Sequence, residues 1–269
     1  MSYDAATIRQ LNALTSEFYA REAASFSATR QAPWRGWEQA WDIIAAEDPA
    51  LAERPLSVLD LGCGNLRFER FLVERATGPF AVTAVDNCLA LASNLPAKAS
   101  IDFTELDIVE SLSGNVLASH LPHDTCDLAV AFGLMHHLPT FAMRADAIAS
   151  LLCSLRPGGF AIASFWQFLN DARLAGKAAA VTDEGRAAHR LPPFEPGDYL
   201  LGWQHADAVY RFCHHADDDE IDNLLVAIQA NPDAPPFREV ARFSADGKVG
   251  NLNRYVVLRR CKPQTDSLC

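Results

Sequence analysis

The sequence predicts an α/β fold built on a doubly wound, mostly parallel sheet. Three observations carry that expectation. Apolar, strand-like runs alternate with amphipathic helical stretches from about residue 55 to 165. One run, Val58-Leu59-Asp60-Leu61, ends in a glycine turn, Gly62-Cys63-Gly64, and passes into Phe68-Glu69-Arg70-Phe71-Leu72. Acidic residues then stand at or just past the ends of the next two strands, Asp86 and Asp107.

The elements follow in order. Ile8, Leu11, Leu14 and Phe18 recur at helical spacing, predicting a helix over 5–24. Residues 25–37 read as irregular, rich in aromatics and holding Arg30 and Arg35; a second helix covers 37–47. Strands are expected near 58–61, 81–85, 101–104, 127–132 and 160–165, with a helix at 88–95. A further helix bears Phe141, Ala145, Ile148, Leu152 and Leu155 on one face and is stopped by Pro157-Gly158-Gly159. Residues 171–197 break the rhythm and read as a helical insertion followed by a loop. Asp217-Asp218-Asp219-Glu220 opens a helix carrying Ile221, Leu224, Leu225 and Ile228; its carboxylates suit the helix dipole better than a metal. Residues 237–244 and 252–260 form a terminal antiparallel hairpin. The expected organisation is an N-terminal helical lid (1–54), a sheet domain (55–262) with an inserted helical and loop segment at about 171–232, and a tail (263–269).

Composition narrows the function. The chain has 269 residues, 49% hydrophobic, with a formal charge of -11, so a broad basic nucleic-acid surface is not the default expectation. Seven cysteines, odd in number and without a CxxC pair, fit a reduced intracellular protein rather than a disulfide framework or zinc knot. His214-His215 is not expected to bind metal either. No signal-like N-terminus and no apolar run of about 18 residues is present, so a cytoplasmic location and no membrane association are expected.

The glycine turn marks a nucleotide-like cofactor. Glycines admit the close approach of a ligand to the backbone, and the following helix presents unpaired N–H groups. Asp86 is placed to accept from ribose hydroxyls and Asp107 from an adenine amino group. Asp60, Gly62, Gly64, Asn87, Ile108 and Phe132 complete the candidate cofactor contacts. An NAD fingerprint would require a third glycine opening the helix, and position 67 is arginine. The segment order instead resembles the class I SAM-dependent methyltransferases. Leu59-Asp60-Leu61-Gly62-Cys63-Gly64 is similar to their first motif, Ala84-Val85-Asp86 to their second, and Leu155-Arg156-Pro157-Gly158-Gly159 to the motif that follows the fourth strand. The resemblance implies a Rossmann-like seven-stranded sheet with S-adenosyl-L-methionine (SAM) as cofactor. Leu66 replaces the family's third glycine.

The acceptor is constrained by what the sequence lacks. No Asn/Asp-Pro-Pro-aromatic element follows the fourth strand, where Ala131-Phe132-Gly133-Leu134-Met135-His136-His137-Leu138-Pro139 stands, and no Pro-Cys element supplies a nucleophile for pyrimidine C5 methylation. O-methylation of a carboxylate needs neither device, because the acceptor is already ionised and has only to be aimed. Arginine is the natural clamp. Four segments resemble the tRNA wobble-uridine carboxymethyl methyltransferases: Phe26-Ser27-Ala28-Thr29-Arg30-Gln31-Ala32-Pro33-Trp34, Leu134-Met135-His136-His137, Arg211-Phe212-Cys213-His214 and Asn251-Leu252-Asn253-Arg254-Tyr255. In the third, Phe and Cys replace two tyrosines. The resemblance implies that Arg30 and Arg211 flank the acceptor and that His137 sits at the mouth of the transfer site. It also implies that Trp34 and Phe212 stack a base, that His214 contacts substrate, and that a small activator subunit is a possible partner beside tRNA. His136, Trp37 and Trp41 are expected in the core and Cys63 as a small filler. Two alternatives stay open: a small carboxylate-bearing metabolite as acceptor, and a SAM-binding protein without catalysis.

Overall fold

The computed structural model describes residues 3–91, 100–203 and 209–262. Its strands are β1 (Leu56–Leu61), β2 (Phe80–Asp86), β3 (Ser100–Glu105), β4 (Cys126–Ala131), β5 (Leu155–Trp166), β6 (Asp198–Gly202), β7 (Tyr210–His214), β8 (Phe237–Ala245) and β9 (Asn253–Arg260). Seven of them form one sheet in the order β3-β2-β1-β4-β5-β9-β8. The first five are parallel; β9 joins β5, and β8 joins β9, antiparallel. Strand order reverses between β1 and β4, so a crevice opens beyond their carboxyl ends, where open α/β sheets bind ligands.

Both faces of the sheet are covered. Alternate residues of a strand point to opposite faces. Leu59, Leu61, Ala129 and Ala131 join a core with the helices α4 (Ile108–Ser113), α5 (Phe141–Ser154) and α7 (Asp218–Gln229). Val58, Leu128 and Val130 join a second core with α2 (Arg35–Glu47) and α3 (Arg67–Arg75), where Trp37 and Trp41 are buried as expected. The helix α1 (Ala5–Ala28) starts at the N-cap Asp4, which accepts from Thr7 N, and buries Leu11, Leu14 and Phe18. It packs against β7 and α4 and so lies across the crevice. The acidic run at 217–220 does what the dipole argument requires: Asp217 caps α7 and its first turn is acidic.

Several boundaries depart from the sequence expectation. α1 runs four residues past 24, and α2 begins at Arg35, so the irregular segment is confined to residues 29–34. Pro157-Gly158-Gly159 does not follow a helix end as a loop: β5 begins at Leu155 and runs through it, and its pairing with β4 shifts register between Cys126 and Leu128. Residues 88–91 form a turn rather than the start of a helix, and the rest of that expected helix lies outside the described residues. The insertion is more than helix and loop. After α6 (Ala172–Ala188), β6 and β7 pair as a separate antiparallel hairpin. Five described cysteines, Cys63, Cys88, Cys126, Cys153 and Cys213, are free. No helix among the described residues is long and apolar enough to cross a membrane.

Candidate active site

The crevice begins at the glycine turn. Gly62 N and Cys63 N both donate to Val85 O, tying the turn to the end of β2. Gly62 has a φ of 82°, and a Cβ there would lie 3.1 Å from Leu134 Cβ. Gly64, with a φ of 54°, has open space where its Cβ would stand. Leu66 occupies the left-handed region too, at a φ of 54°. The family's third glycine is thus replaced by a leucine that takes a glycine-like backbone. The conformation costs about 1 kcal/mol, offset by complete burial of the side chain in the core of α2 and α3.

The carboxylates expected at strand ends line this crevice, which has a cavity volume of about 150 Å³. Asp86 Oδ2 accepts from Gly64 N at 2.9 Å and Oδ1 from Cys88 N at 2.8 Å, so it both shapes the turn and faces the space. Burial raises its pKa, and the backbone N–H groups act against that. Asp107 is the N-cap of α4 through Glu110 N, and its Oδ2 already accepts from Asn12 (2.7 Å) and Asn87 (3.3 Å). Asp60, Gly62, Gly64, Asn87, Ile108 and Phe132 all line the same crevice. Asp60 lies beside Glu69 beneath the turn, and neither has an arginine or lysine ion-pair partner among the described residues. Burial and the neighbouring carboxyl raise Asp60 well above the carboxylate range; burial pushes Glu69 up to about 7.

A larger cavity, about 1260 Å³, adjoins the crevice and shares with it Tyr19, Phe26, Arg30, Trp34, Arg67 and Gly133. Arg30 and Arg211 both line it, and neither has a carboxylate partner among the described residues. The Arg30 guanidinium lies over the Phe26 ring at 3.6 Å and the Trp203 ring at 5.0 Å. Arg211 is 4% exposed and lies within 6.0 Å of the ring centres of Phe18, Tyr19, Phe26, Trp166 and Trp203. Burial and then the nearby Arg211 lower Arg30 to about 10, so two cations crowd one apolar space.

Tyr19 joins the two spaces. Arg211 Nη1 donates to Tyr19 Oη at 3.2 Å, which leaves the phenol hydrogen for His137 Nε2 at 2.8 Å. His137 Nδ1 then donates to Phe212 O at 2.8 Å. The chain of donors fixes His137 as a neutral Nδ1–H tautomer with both nitrogens engaged. Burial, with Arg211 nearby, lowers its pKa to about 3. His137 therefore lines the cofactor crevice with both ring nitrogens engaged within the protein. His136, expected in the core, also lines the large cavity, with Nδ1 unpartnered. His136, His137 and Cys213 bring donor atoms within 4.8 Å of one another. Burial pushes the Cys213 thiol up to about 12.

Two more candidates do not reach the cavity. Phe212 is fully buried with Leu11, Leu14, Leu200 and Tyr210 and cannot stack a base. The reason is the alternation of a strand: with Arg211 and Cys213 on one face of β7, Phe212 and His214 point the other way. His214 lies between Asp198 Oδ1 and Glu220 Oε2, each at 2.6 Å, and lines neither space.

Comparison with known proteins decides the family. A profile described as a methyltransferase domain matches residues 30–228. The chain belongs to that methyltransferase family. The SAM-dependent methyltransferase is 26% identical over 200 residues to a putative methyltransferase of Encephalitozoon cuniculi, covering 73% of this chain and 77% of that one. It is 25% identical over 150 residues to the tRNA (carboxymethyluridine(34)-5-O)-methyltransferase ALKBH8 of Mus musculus, covering 56% of this chain and 19% of that protein. Among solved structures, the Burkholderia thailandensis 1,6-didemethyltoxoflavin-N1-methyltransferase, bound to S-adenosylhomocysteine, superimposes with a TM-score of 0.58 at 17% identity, covering 97% and 94% of the two chains. A SAM-dependent methyltransferase of Clostridium acetobutylicum gives 0.56 at 11% identity, covering 91% and 98%. These two likenesses concern the fold. SAM is the cofactor, and the glycine turn with Asp60 and Asp86 fits it: an open face at Gly64 and a Asp60 oxygen, Oδ1, buried without a partner.

The two spaces are also lined by residues that the sequence analysis did not single out. Asn65 Nδ2 donates to Arg30 O at 3.1 Å, and Arg67 Nη1 to Ala32 O at 3.1 Å, so the start of α3 holds the segment bearing Arg30 and Trp34. Tyr19, Trp166 and Trp203 surround Arg211. Their only sequence signal was aromatic residue type; the contacts arise from assembly of distant segments.

Proposed function

We propose that this methyltransferase esterifies a carboxylate, and that the acceptor is 5-carboxymethyluridine at the tRNA wobble position. The observation that carries the reading is the pair Arg30 and Arg211, two guanidiniums in the large cavity without carboxylate partners among the described residues, of which Arg30 also lines the cofactor crevice. A guanidinium fork matches a carboxylate, and charge-assisted bonds strengthen where water is excluded. Bound SAM supplies the methyl group. A carboxylate acceptor carries no proton to remove, which agrees with a His137 whose two nitrogens are committed. The residues' work is then to bind, aim and desolvate the acceptor. Trp34, partly exposed and lining both spaces, offers a face on which a base can stack.

The nucleoside itself is supported by the similarity to the mouse tRNA methyltransferase. On this reading a small activator subunit is a possible partner and the reaction belongs in the cytoplasm. A second reading, a small carboxylate metabolite, is favoured by the charge of -11. The test is transfer from labelled SAM to total small RNA, with nucleosides resolved by mass spectrometry. A methyl ester on 5-carboxymethyluridine is the expected product. Label in a metabolite fraction with none in RNA would select the second reading, and a methyl group on nitrogen or carbon would overturn both.

A further inference from the structure

The arginines elsewhere on this acidic chain are largely neutralised: Arg54, Arg144, Arg242, Arg254 and Arg260 each sit on a carboxylate. The large cavity is different. Besides the acceptor pair it is lined by Arg35, Arg67, Arg173, Lys177 and Lys248, and none of these has a carboxylate within ion-pair distance among the described residues. Its acids are Glu184 and Asp246. Asp246 is spent internally, accepting from Gly36 N (3.2 Å), Asn253 Nδ2 (2.8 Å) and Tyr255 Oη (2.6 Å). Arg173 and Lys177 lie one turn apart on α6 and are exposed; Arg35 and Lys248 are exposed on α2 and on the turn after β8. Unpaired cations gathered around one opening, on a chain of charge -11, concentrate positive potential where a multiply charged anion would enter.

We propose that this lip binds successive phosphates of a single-stranded RNA loop, with Arg173 and Lys177 as backbone contacts that position the nucleotide without reading its base. The proposal rests on the RNA reading above. It adds the surface that takes the chain on either side of the acceptor nucleotide. Phosphate contacts of this kind fix register and release counterions, so they give a salt-dependent affinity. The span favours RNA over a small anion: the acceptor pair already provides for one carboxylate, and the lip residues come from three separate elements around it.

The experiment measures binding of a fluorescently labelled RNA stem–loop that lacks any carboxymethyl group, by anisotropy across a salt series, using the full chain loaded with S-adenosylhomocysteine. The double variant Arg173→Ala/Lys177→Ala is expected to bind roughly tenfold more weakly at low salt, with the log–log salt slope reduced by about 1.4, two phosphate contacts on a single strand. SAM affinity should be unchanged. Lys248→Ala should lower the slope by about half as much. Unchanged RNA affinity and slope in the double variant, or competition by inorganic triphosphate as effective as by RNA, would overturn the proposal. RNA binding with the expected slope change but no ester in any nucleoside would leave the lip standing and remove the acceptor assignment. Esterification of free 5-carboxymethyluridine without RNA binding would do the reverse.

Discussion

Arg211 and His214 stand three residues apart on β7, 4% and 5% exposed, and differ in everything else. His214 is enclosed by charge of the opposite sign. Asp198, its cross-strand partner on β6, and Glu220 on α7 take its two nitrogens, and Arg144 closes the network on Glu220 at 2.8 Å. Arg211 has the Tyr19 phenol, the Cys213 thiol and a ring of aromatic faces, with no carboxylate among the described residues, and its Nε is buried without a partner. Burying a charge without a counter-charge is costly. On the proposed function, the partner that this fold leaves out here, while pairing the ion next door, is the acceptor carboxylate. Equal burial on one strand therefore separates a structural ion from a candidate functional one, and the difference lies in the partners.

That contrast can be broken by exchanging the consequences of losing each residue. Arg211→Met should lower turnover on the order of 10²–10³-fold, the scale for removing one donor to a reacting anion, with SAM affinity intact. Thermal stability should hold or rise, because an uncompensated buried charge is gone. Loss of folding in that variant would mean that Arg211 is structural like His214. His214→Ala should do the opposite, costing about 3 kcal/mol in chemical denaturation while the folded fraction turns over normally. A tenfold loss of turnover at unchanged stability would restore His214 to the substrate site.

The two clusters also predict a pH signature. Burial opposes the charge on His214, but the bonds to Asp198 and Glu220 outweigh it and raise its pKa. Its contribution is then complete below pH ~6.5 and is lost as the pH rises through the raised value. Glu220, held below its ordinary value by His214 and Arg144 despite burial, contributes above its ordinary pKa and loses that contribution as the pH falls. In wild type, stability should fall above pH ~6.5 by this route, and His214→Ala should flatten that limb.

Two smaller effects sharpen the cofactor side of the comparison. Asp86→Ala removes the acceptor for Gly64 N and should weaken SAM binding about 10–100-fold by calorimetry. Glu69, pushed up to about 7, keeps its proton in the folded state over a range where the unfolded chain loses it, so stability falls as the pH rises from about 4.5 to 7. Glu69→Gln should remove that slope and add roughly 1–3 kcal/mol at pH 8, with SAM affinity little changed. A destabilised variant at pH 8 would show that the ionised form is the one the fold uses.

The same contrast explains what the sequence revealed. The cofactor half was legible because one contiguous segment, strand, glycine turn and helix, carries it, and Asp86 and Asp107 fall at predictable strand ends. Even the exception was informative, since Leu66 occupies the left-handed backbone of the glycine it replaces. The acceptor half comes from α1, the turn at His137 and a hairpin that local pattern did not announce. Arg30 and Arg211, the proposed acceptor pair, were singled out by motif, but Phe212 was assigned to the same site although adjacent residues of a strand face apart. Tyr19 was not singled out because its two partners, His137 and Arg211, lie 118 and 192 positions away.

The most direct test of the acceptor subsite compares charge alone. The protein loaded with S-adenosylhomocysteine would be titrated with 5-carboxymethyluridine and with the neutral amide of the same nucleoside, in wild type and in Arg211→Met. If Arg30 and Arg211 await a carboxylate, the acid should bind wild type at least about tenfold more tightly than the amide, and Arg211→Met should erase most of the difference. Equal affinity of acid and amide for wild type would contradict the account.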